Sequence, residues 1–312
     1  MNLVQPSRSS LHDSEHFARS SMNKDQIKAE ALIEALPYIQ RFRGQTMVIK
    51  YGGAAMDNEE IVERVLRDIV FLEAVGINPV LVHGGGKAIT RAMKERGVSA
   101  QFIDGLRVTD LASIDLINQT LSNEINPSIV QNIRAAGGKA QGFNGKDILK
   151  AKKMRYFQAK TSQEVDLGFV GDITGVNTAP LLDSIAREEM PVISPLGCDE
   201  EGNIYNINAD VAAGEIAQAL GAFKIIYLSD VNGVMRDPRQ VDSTISHLTI
   251  TQINKLKREG IIDGGMIPKV DSAIEALESG VKKVHFLDGR IPHSLLLEIF
   301  TDAGIGTEIT KD

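Results

Sequence analysis

Two stretches carry residues that could do chemistry on an anion. In Val48-Ile49-Lys50-Tyr51-Gly52-Gly53, an apolar run ends in a lysine followed by two glycines. In Pro79-Val-Leu-Val-His83-Gly84-Gly85-Gly86-Lys87, a second apolar run breaks into three glycines and then into a helical pattern. A strand that opens through bare glycines into a helix offers backbone N–H groups at a positive helix end, which suits phosphate. A lone unit of this kind is equally well explained as a tight turn. Two units, one already carrying a lysine, point to a shared site.

The familiar phosphate signatures are missing. No G-x-x-x-x-G-K-[ST] occurs, because the lysines that follow glycine precede Ala88, Ala140 and Asp147. No strand is followed by G-x-G-x-x-G, which argues against a dinucleotide site. His83 stands alone at a strand end without a second histidine at ligand spacing, so a structural role is expected rather than a base or a metal ligand.

The elements around these residues follow from periodicity. Thr46–Tyr51 and Val80–His83 read as buried strands, with a helix between them that carries Ile61, Val62, Val65, Leu66, Ile69 and Val70 on one face and stops at Gly76. Asp57 with Glu60 is the expected cap of that helix. The resulting βαβα unit predicts a parallel sheet with helices on both faces. Residues 110–137 read as a long helical region interrupted near Pro127. From 138 to 175, frequent glycines suggest hairpins or a flap. Regular alternation resumes with helices near 179–189, 210–220, 251–259, 268–279 and 294–300, and strands at 192–194, 224–228 and 283–287. A hairpin is expected around Gly202 and a division between halves near residue 190. Before the first strand, Asn23 and Gln26 form a capping box for a helix with Ile27, Ala31, Leu32, Leu36 and Ile39 at helical spacing. Such a helix packs on its own domain or buries its stripe against another subunit.

At 312 residues the chain has room for about two domains or one large α/β unit. Its net charge of −7, with basic residues scattered, gives no electrostatic footprint for nucleic acid. No apolar run reaches the roughly 18 residues of a membrane span. The single cysteine, Cys198, excludes an internal disulfide and a cysteine-rich metal cage. It fits a reducing compartment, and a cytoplasmic location is expected. Residues 1–23 read as a disordered tail without a secretory core, and Asp13 and Glu15 argue against a transit peptide.

Six blocks occur together and in order: Lys50-Tyr-Gly-Gly, His83-Gly-Gly-Gly, Gly105-Leu-Arg107-Val-Thr, Asn206-Ile-Asn208-Ala-Asp210, Ser229-Asp230-Val-Asn-Gly233 and Gly264-Gly-Met-Ile-Pro-Lys269. In them the chain resembles the amino-acid kinase family over about residues 24 to 310. The resemblance is strongest to members that phosphorylate the side-chain carboxylate of N-acetyl-L-glutamate with ATP in arginine biosynthesis. It implies an α/β fold, a three-layer αβα sandwich with a largely parallel open sheet. Residues 44–190 would bind the acceptor and 191–312 the ATP.

Such chemistry needs no general base, because a carboxylate is already ionised near neutral pH. The difficulty is that one anion must approach another, so positioning and cations must do the work. The resemblance makes Lys50 and Lys269 the cations, with Asp210 between them; capping of the following helix is the alternative for Asp210. For the acceptor it implies Gly85, Gly86, Arg107 and Asn206, with Asn208 nearby. A turn, a surface ion pair and Asx-turns are the competing readings. For the nucleotide it implies Gly52, Gly53, Ser229, Asp230, Gly233, Gly265 and Met266. Mg²⁺ is expected to travel with the ATP, held mostly by its phosphates and without a dedicated protein cage.

A further layer is implied by the members inhibited by L-arginine. They have an extra N-terminal helix, here residues 24–43, that interlaces dimers into a hexamer, a trimer of dimers. They also have a C-terminal stretch resembling His285-Phe-Leu-Asp-Gly and Glu298…Gly304-Ile-Gly306-Thr. Lys224, His285, Glu298, Gly304 and Gly306 are the candidate arginine site, with ordinary helix-end chemistry as the alternative. Some members also bind the nitrogen-signalling PII protein, and no physical feature of this sequence selects that partner. Within the fold, aspartate, glutamate, carbamate or UMP are alternative acceptors. A non-catalytic arginine or nucleotide sensor is the alternative outside enzymes.

Overall fold

A computed structural model of the chain describes residues 23–56, 58–158, 161–237, 239–240, 243–302 and 304–312. The expected disordered tail thus lies outside the described residues, apart from Asn23, as does Asp57. The chain divides into two units, Met1–Arg41 and Phe42–Asp312.

The first unit holds nearly all of helix α1 (Lys24–Phe42). Its capping box is present: Asn23 Oδ1 accepts from the Gln26 amide at 2.9 Å, and Gln26 Oε1 accepts from the Asn23 amide at 2.9 Å. Ile27, Leu32, Ile33 and Leu36 on this helix are exposed.

The second unit runs β1 (Thr46–Tyr51), α2 (Glu59–Ala74), β2 (Asn78–His83), α3 (Gly86–Glu95) and the hairpin β3 (Phe102–Ile103) and β4 (Leu106–Arg107). Then come α4 (Leu111–Gln119), a π turn at Thr120–Ile125, α5 (Asn126–Ala135), β5 (Ala140–Phe143), β6 (Leu149–Lys153), β7 (Tyr156–Phe157), β8 (Glu164–Val165), β9 (Gly171–Val176) and α6 (Ala179–Ala186). The remainder is β10 (Met190–Ile193), β11 (Leu196–Cys198), β12 (Ile204–Asn206), α7 (Ala209–Ala219), β13 (Lys224–Ser229), β14 (His247–Thr249), α8 (Ile250–Arg258), α9 (Met266–Glu278), β15 (Lys283–Asp288), α10 (Ser294–Ile299) and β16 (Thr307–Thr310).

Eight strands form one sheet in the order β14-β16-β15-β13-β1-β2-β10-β5. All pairs are parallel except β15 with β16. The inner strands are apolar almost throughout and buried, as a parallel sheet covered on both faces requires. The chain leaves β1 toward β2 on one side and reaches β13 on the other, so the order reverses between β1 and β13. Ligands of open α/β sheets collect outside the carboxyl ends at such a point. Lys50 lies there, level with Val82 of β2 and Tyr227 of β13. Because β10 sits between β2 and β5, the sheet is continuous across residue 190. The glycine-rich region after residue 138 supplies β6 and β9 to a smaller sheet, ordered β12-β11-β6-β9, and the short β7–β8 hairpin.

One local expectation is corrected. The cap of α2 is Asn58, whose Oδ1 accepts from the amides of Glu60 and Ile61; from the position just before the helix its side chain reaches both N–H groups. The interruption expected near Pro127 is present: α4 ends at Gln119, and the π turn at Thr120–Ile125 separates it from α5. Pro127 falls in the first turn of α5, just after the π turn, where a wider coil and an N-terminal position accommodate its ring and missing N–H.

Candidate functional site

Asn208 caps α7, with Oδ1 accepting from the amides of Asp210 at 2.8 Å and Val211 at 3.4 Å. The capping alternative for Asp210 is thereby corrected: its neighbour does that work, because the residue before a helix, not one in its first turn, can fold back on the first amides. The Asp210 carboxylate is left to point elsewhere. Lys50 Nζ, from the end of β1, lies 2.8 Å from Asp210 Oδ1, and Lys269 Nζ, from the first turn of α9, lies 3.4 Å from Oδ2. Burial by itself would raise the Asp210 carboxyl, but the two ammonium groups outweigh it and hold the group below its usual range. Two cations around one anion leave one net positive charge in a largely dry place. A Cβ on Gly52 would come within 3.1 Å of Lys50 Cε and Nζ, so the bare glycine leaves the ammonium its room.

On one side of this ion triple is a cleft of about 1210 Å³ whose lining includes Gly53, Gly85, Gly86, Thr90, Phe102 and Arg107. Gly85 precedes α3 and cannot cap it with a side chain. A Cβ there would lie 2.5 Å from Leu121 Cδ2, at the π turn. Arg107 is 7% exposed. Its Nη2 donates to Gly86 O and Thr90 Oγ1, both at 2.9 Å, and its guanidinium lies 4.6 Å from the centre of the Phe102 ring. Burial lowers its pKa, yet a guanidinium stays charged. No acidic side chain among the described residues pairs with it. Asn206 connects to this group through Thr109: Asn206 Nδ2 donates to Thr109 Oγ1 at 3.4 Å, and that hydroxyl donates to Arg107 O at 3.0 Å. Asn208, with Oδ1 spent on the cap, has only its amide N–H groups to offer a ligand.

A second cavity of about 320 Å³ is lined by Val231, Gly233, Val234, Met235, Ile261, Ile262, Asp263, Gly265, Met266 and Lys269. Its walls are mostly apolar, and Lys269 is common to it and to the ion triple. Ser229, the last residue of β13, and Asp230 just after it precede the cavity in the chain but do not line it. Gly53 lines the larger cleft instead, and Gly52 lies against Lys50.

The proposed regulatory residues also cluster. His285 on β15 and Glu298 on α10 are buried, with His285 Nδ1 2.6 Å from Glu298 Oε1. Glu298 Oε2 accepts from the amides of Ile305 at 2.7 Å and Gly306 at 3.1 Å. Burial would raise the Glu298 carboxyl, but these bonds outweigh it and keep it well below its usual range. A Cβ on Gly304 would come within 2.7 Å of Glu298 Oε2, and Lys224 lies 4.8 Å from the Phe42 ring centre.

His83 is fully buried between Gly84 O, 2.9 Å from Nδ1, and Asn126 Nδ2, 3.2 Å from Nε2. Nδ1 donates to the carbonyl and Nε2 accepts from the amide, so the ring is neutral. Burial pushes its pKa down to about 4. Between that value and the ordinary 6.5 the unfolded chain binds a proton that the native one does not. Stability is therefore unaffected above this window and falls as pH drops through it, by about 2 kcal/mol from about pH 7 to about pH 5. Denaturant titrations at both pH values check this, and His83→Gln should lose most of that slope.

Thr90 and Thr109 were not foreseen as parts of the site. Hydroxyls in an ordinary helix and strand end carry no local signal; only the fold brings them to Arg107 and Asn206.

Comparison with known proteins follows this geometry. The chain is 48% identical over 290 residues to the acetylglutamate kinase of Heliobacterium modesticaldum, covering 91% of this chain and 98% of that one. It is 47% identical over 290 residues to that of Methanococcus aeolicus, covering 92% and 99%. Among solved structures, N-acetylglutamate synthase from Neisseria gonorrhoeae, complexed with coenzyme A and L-arginine, has a TM-score of 0.75 at 28% identity. That match covers 91% of this chain and 65% of the longer synthase chain. Giardia carbamate kinase, at 18% identity and a TM-score of 0.62 over 86% of this chain and 99% of its own, shares the fold. A model of the amino acid kinase family matches residues 45–288, and with the ion triple and the open parallel sheet in view, the chain belongs to that family.

Proposed function

We infer that this protein transfers the terminal phosphoryl group of ATP to the γ-carboxylate of N-acetyl-L-glutamate. The near-full-length identity of 47–48% to acetylglutamate kinases carries the substrate assignment. The ion triple supports the chemistry. The acceptor carboxylate attacks as it stands, without a base. Lys50 approaches the moving phosphoryl group from the β1 side and Lys269 from the α9 side, and Asp210 keeps the two ammonium groups from separating. Their net positive charge offsets the repulsion of two anions and stabilises charge on the equatorial phosphoryl oxygens.

In this reading Arg107 and Asn206 hold the α-carboxylate and acetamido end of the acceptor, while the amides around Gly85 and Gly86 face the reacting carboxylate. The adenine nucleotide occupies the cavity lined by Gly233, Gly265 and Met266. Mg²⁺, carried on the nucleotide phosphates, supplies further charge neutralisation. Among the described residues no group of three or more His, Cys, Asp or Glu could hold the ion alone, and Asp210 is already committed to two lysines.

A coupled ADP-release assay with N-acetylglutamate, glutamate, aspartate and UMP offered separately tests the assignment. Turnover with aspartate or UMP alone overturns the substrate. Turnover with none favours a sensor.

The regulatory proposal is feedback inhibition by L-arginine in a hexamer built through α1. The exposed apolar residues Ile27, Leu32, Ile33 and Leu36 support a helix that packs on another copy. The buried carboxylate Glu298 supports a guanidinium site: three of its roughly four acceptor positions are in use, leaving one for a further donor. Removing residues 1–40 should yield a dimer insensitive to arginine, checked by light scattering and inhibition assays. A truncated hexamer with unchanged inhibition overturns the proposal.

A further inference from the structure

The segment that follows β15 makes contacts that the proposed reaction does not use. Arg290 folds back on its neighbour: its amide donates to Asp288 Oδ1 at 2.9 Å, Nε donates to Oδ1 at 2.9 Å, and Nη2 donates to Oδ2 at 2.7 Å. Asp288 is buried, so this fork is set on a fixed base. The same Nη2 donates to the carbonyl oxygen of Asp230 at 2.8 Å. Beside it, the Gly289 amide donates to Ser229 O at 2.9 Å. The end of β13 is thus pinned to the end of β15 by two bonds.

Asp230 is followed by Val231, the first residue lining the smaller cavity. No cis peptide occurs among the described residues. In a planar trans peptide the carbonyl and the next N–H point to opposite sides, so holding Asp230 O also sets the direction of the Val231 amide. The far end of the segment is held as well. His293, with φ +59°, places Nδ1 2.7 Å from Asp68 Oδ1, and Asp68 is buried on α2. A strap anchored at both ends can impose a geometry on what it touches.

We propose that Arg290, seated on Asp288, is a positioning residue for the nucleotide loop, acting through the Asp230–Val231 peptide and not by touching the nucleotide. The proposal rests on the reading of residues 229–233 as the nucleotide loop. It also explains why the guanidinium, half exposed, is committed to a carboxylate and a carbonyl of its own chain.

Calorimetric binding of ATP and of AMP to the wild type, Arg290→Lys and Arg290→Gln tests it, with KM for both substrates measured alongside. Loss of a charge-assisted fork should weaken ATP and AMP alike, by about tenfold, and leave the acceptor KM unmoved. Lysine should not restore binding, because one ammonium cannot grip both Asp288 oxygens and reach Asp230 O as well. Unchanged nucleotide affinities overturn the proposal. A loss for ATP but not AMP, rescued by lysine, overturns it in favour of direct phosphate contact. Parallel losses in acceptor KM and unfolding temperature overturn it in favour of general destabilisation. A wild type that binds neither nucleotide overturns the loop reading itself, which is a separate failure from variants that bind as well as the wild type.

Discussion

Arginine in place of Lys50 or Lys269 is expected to lower kcat by roughly 10²- to 10³-fold, the scale seen when a single preorganised charge donor is lost from a transition state. Nucleotide affinity should change far less. The reason is where the barrier lies. An ionised carboxylate needs no activation, so what remains is the approach of two anions, and each lysine acts most strongly when charge has moved onto the transferring group. Arginine keeps the charge but not its place: a planar guanidinium spreads over three nitrogens the charge that Lys50 brings to one point 2.8 Å from Asp210 Oδ1. Steady-state kcat together with ATP binding by calorimetry checks this. Equal losses in both quantities would mean that the lysines bind ground-state nucleotide and are not transition-state stabilisers. Asp210→Asn should act in the same direction, because it leaves two ammonium groups facing each other without the anion that holds them.

The second large effect is expected at Arg107. Lysine there should raise KM for N-acetylglutamate by about 10²-fold while leaving KM for ATP nearly unchanged, since a two-pronged carboxylate contact becomes a single point charge. The guanidinium is held by Gly86 O, Thr90 Oγ1 and Met93 Sδ and lies against Phe102, so the direction of its remaining N–H donors is fixed. An ammonium on a flexible stem cannot reproduce that. Kinetics with each substrate varied in turn decide the matter; a matched rise in both KM values would place Arg107 in the general framework of the cleft.

Much of this was legible in the residues. The buried runs around Val48 and Val80, the helix between them and the glycine breaks after Tyr51 and His83 announce parallel strands with an anion site at their ends. The Asn23–Gln26 box marks a helix start to the residue, because capping is a contact between atoms three positions apart. Where neighbouring residues compete for the same role, local pattern fails. Asn58 takes the cap expected of Asp57, and Asn208 takes the one considered for Asp210. Pro127 marks the interruption of the long helix, but the π turn before it has no marker in composition.

The order of the main strands and helices, several of their turns and the types of charged residue available follow from local pattern, since each depends on contacts a few positions apart. Which of these residues meet depends on how remote segments pack. Packing of α7 on β1 brings Lys50 within 2.8 Å of Asp210, and the β3–β4 hairpin places Arg107, buried, beside Gly86 and Thr90. Packing then sets the charge states: the Lys50 and Lys269 ammonium groups hold Asp210 ionised against its burial, and burial holds His83 neutral. Those distances and dielectric environments arise from parallel pairing and packing between segments remote in the chain, and no short stretch of residues encodes them.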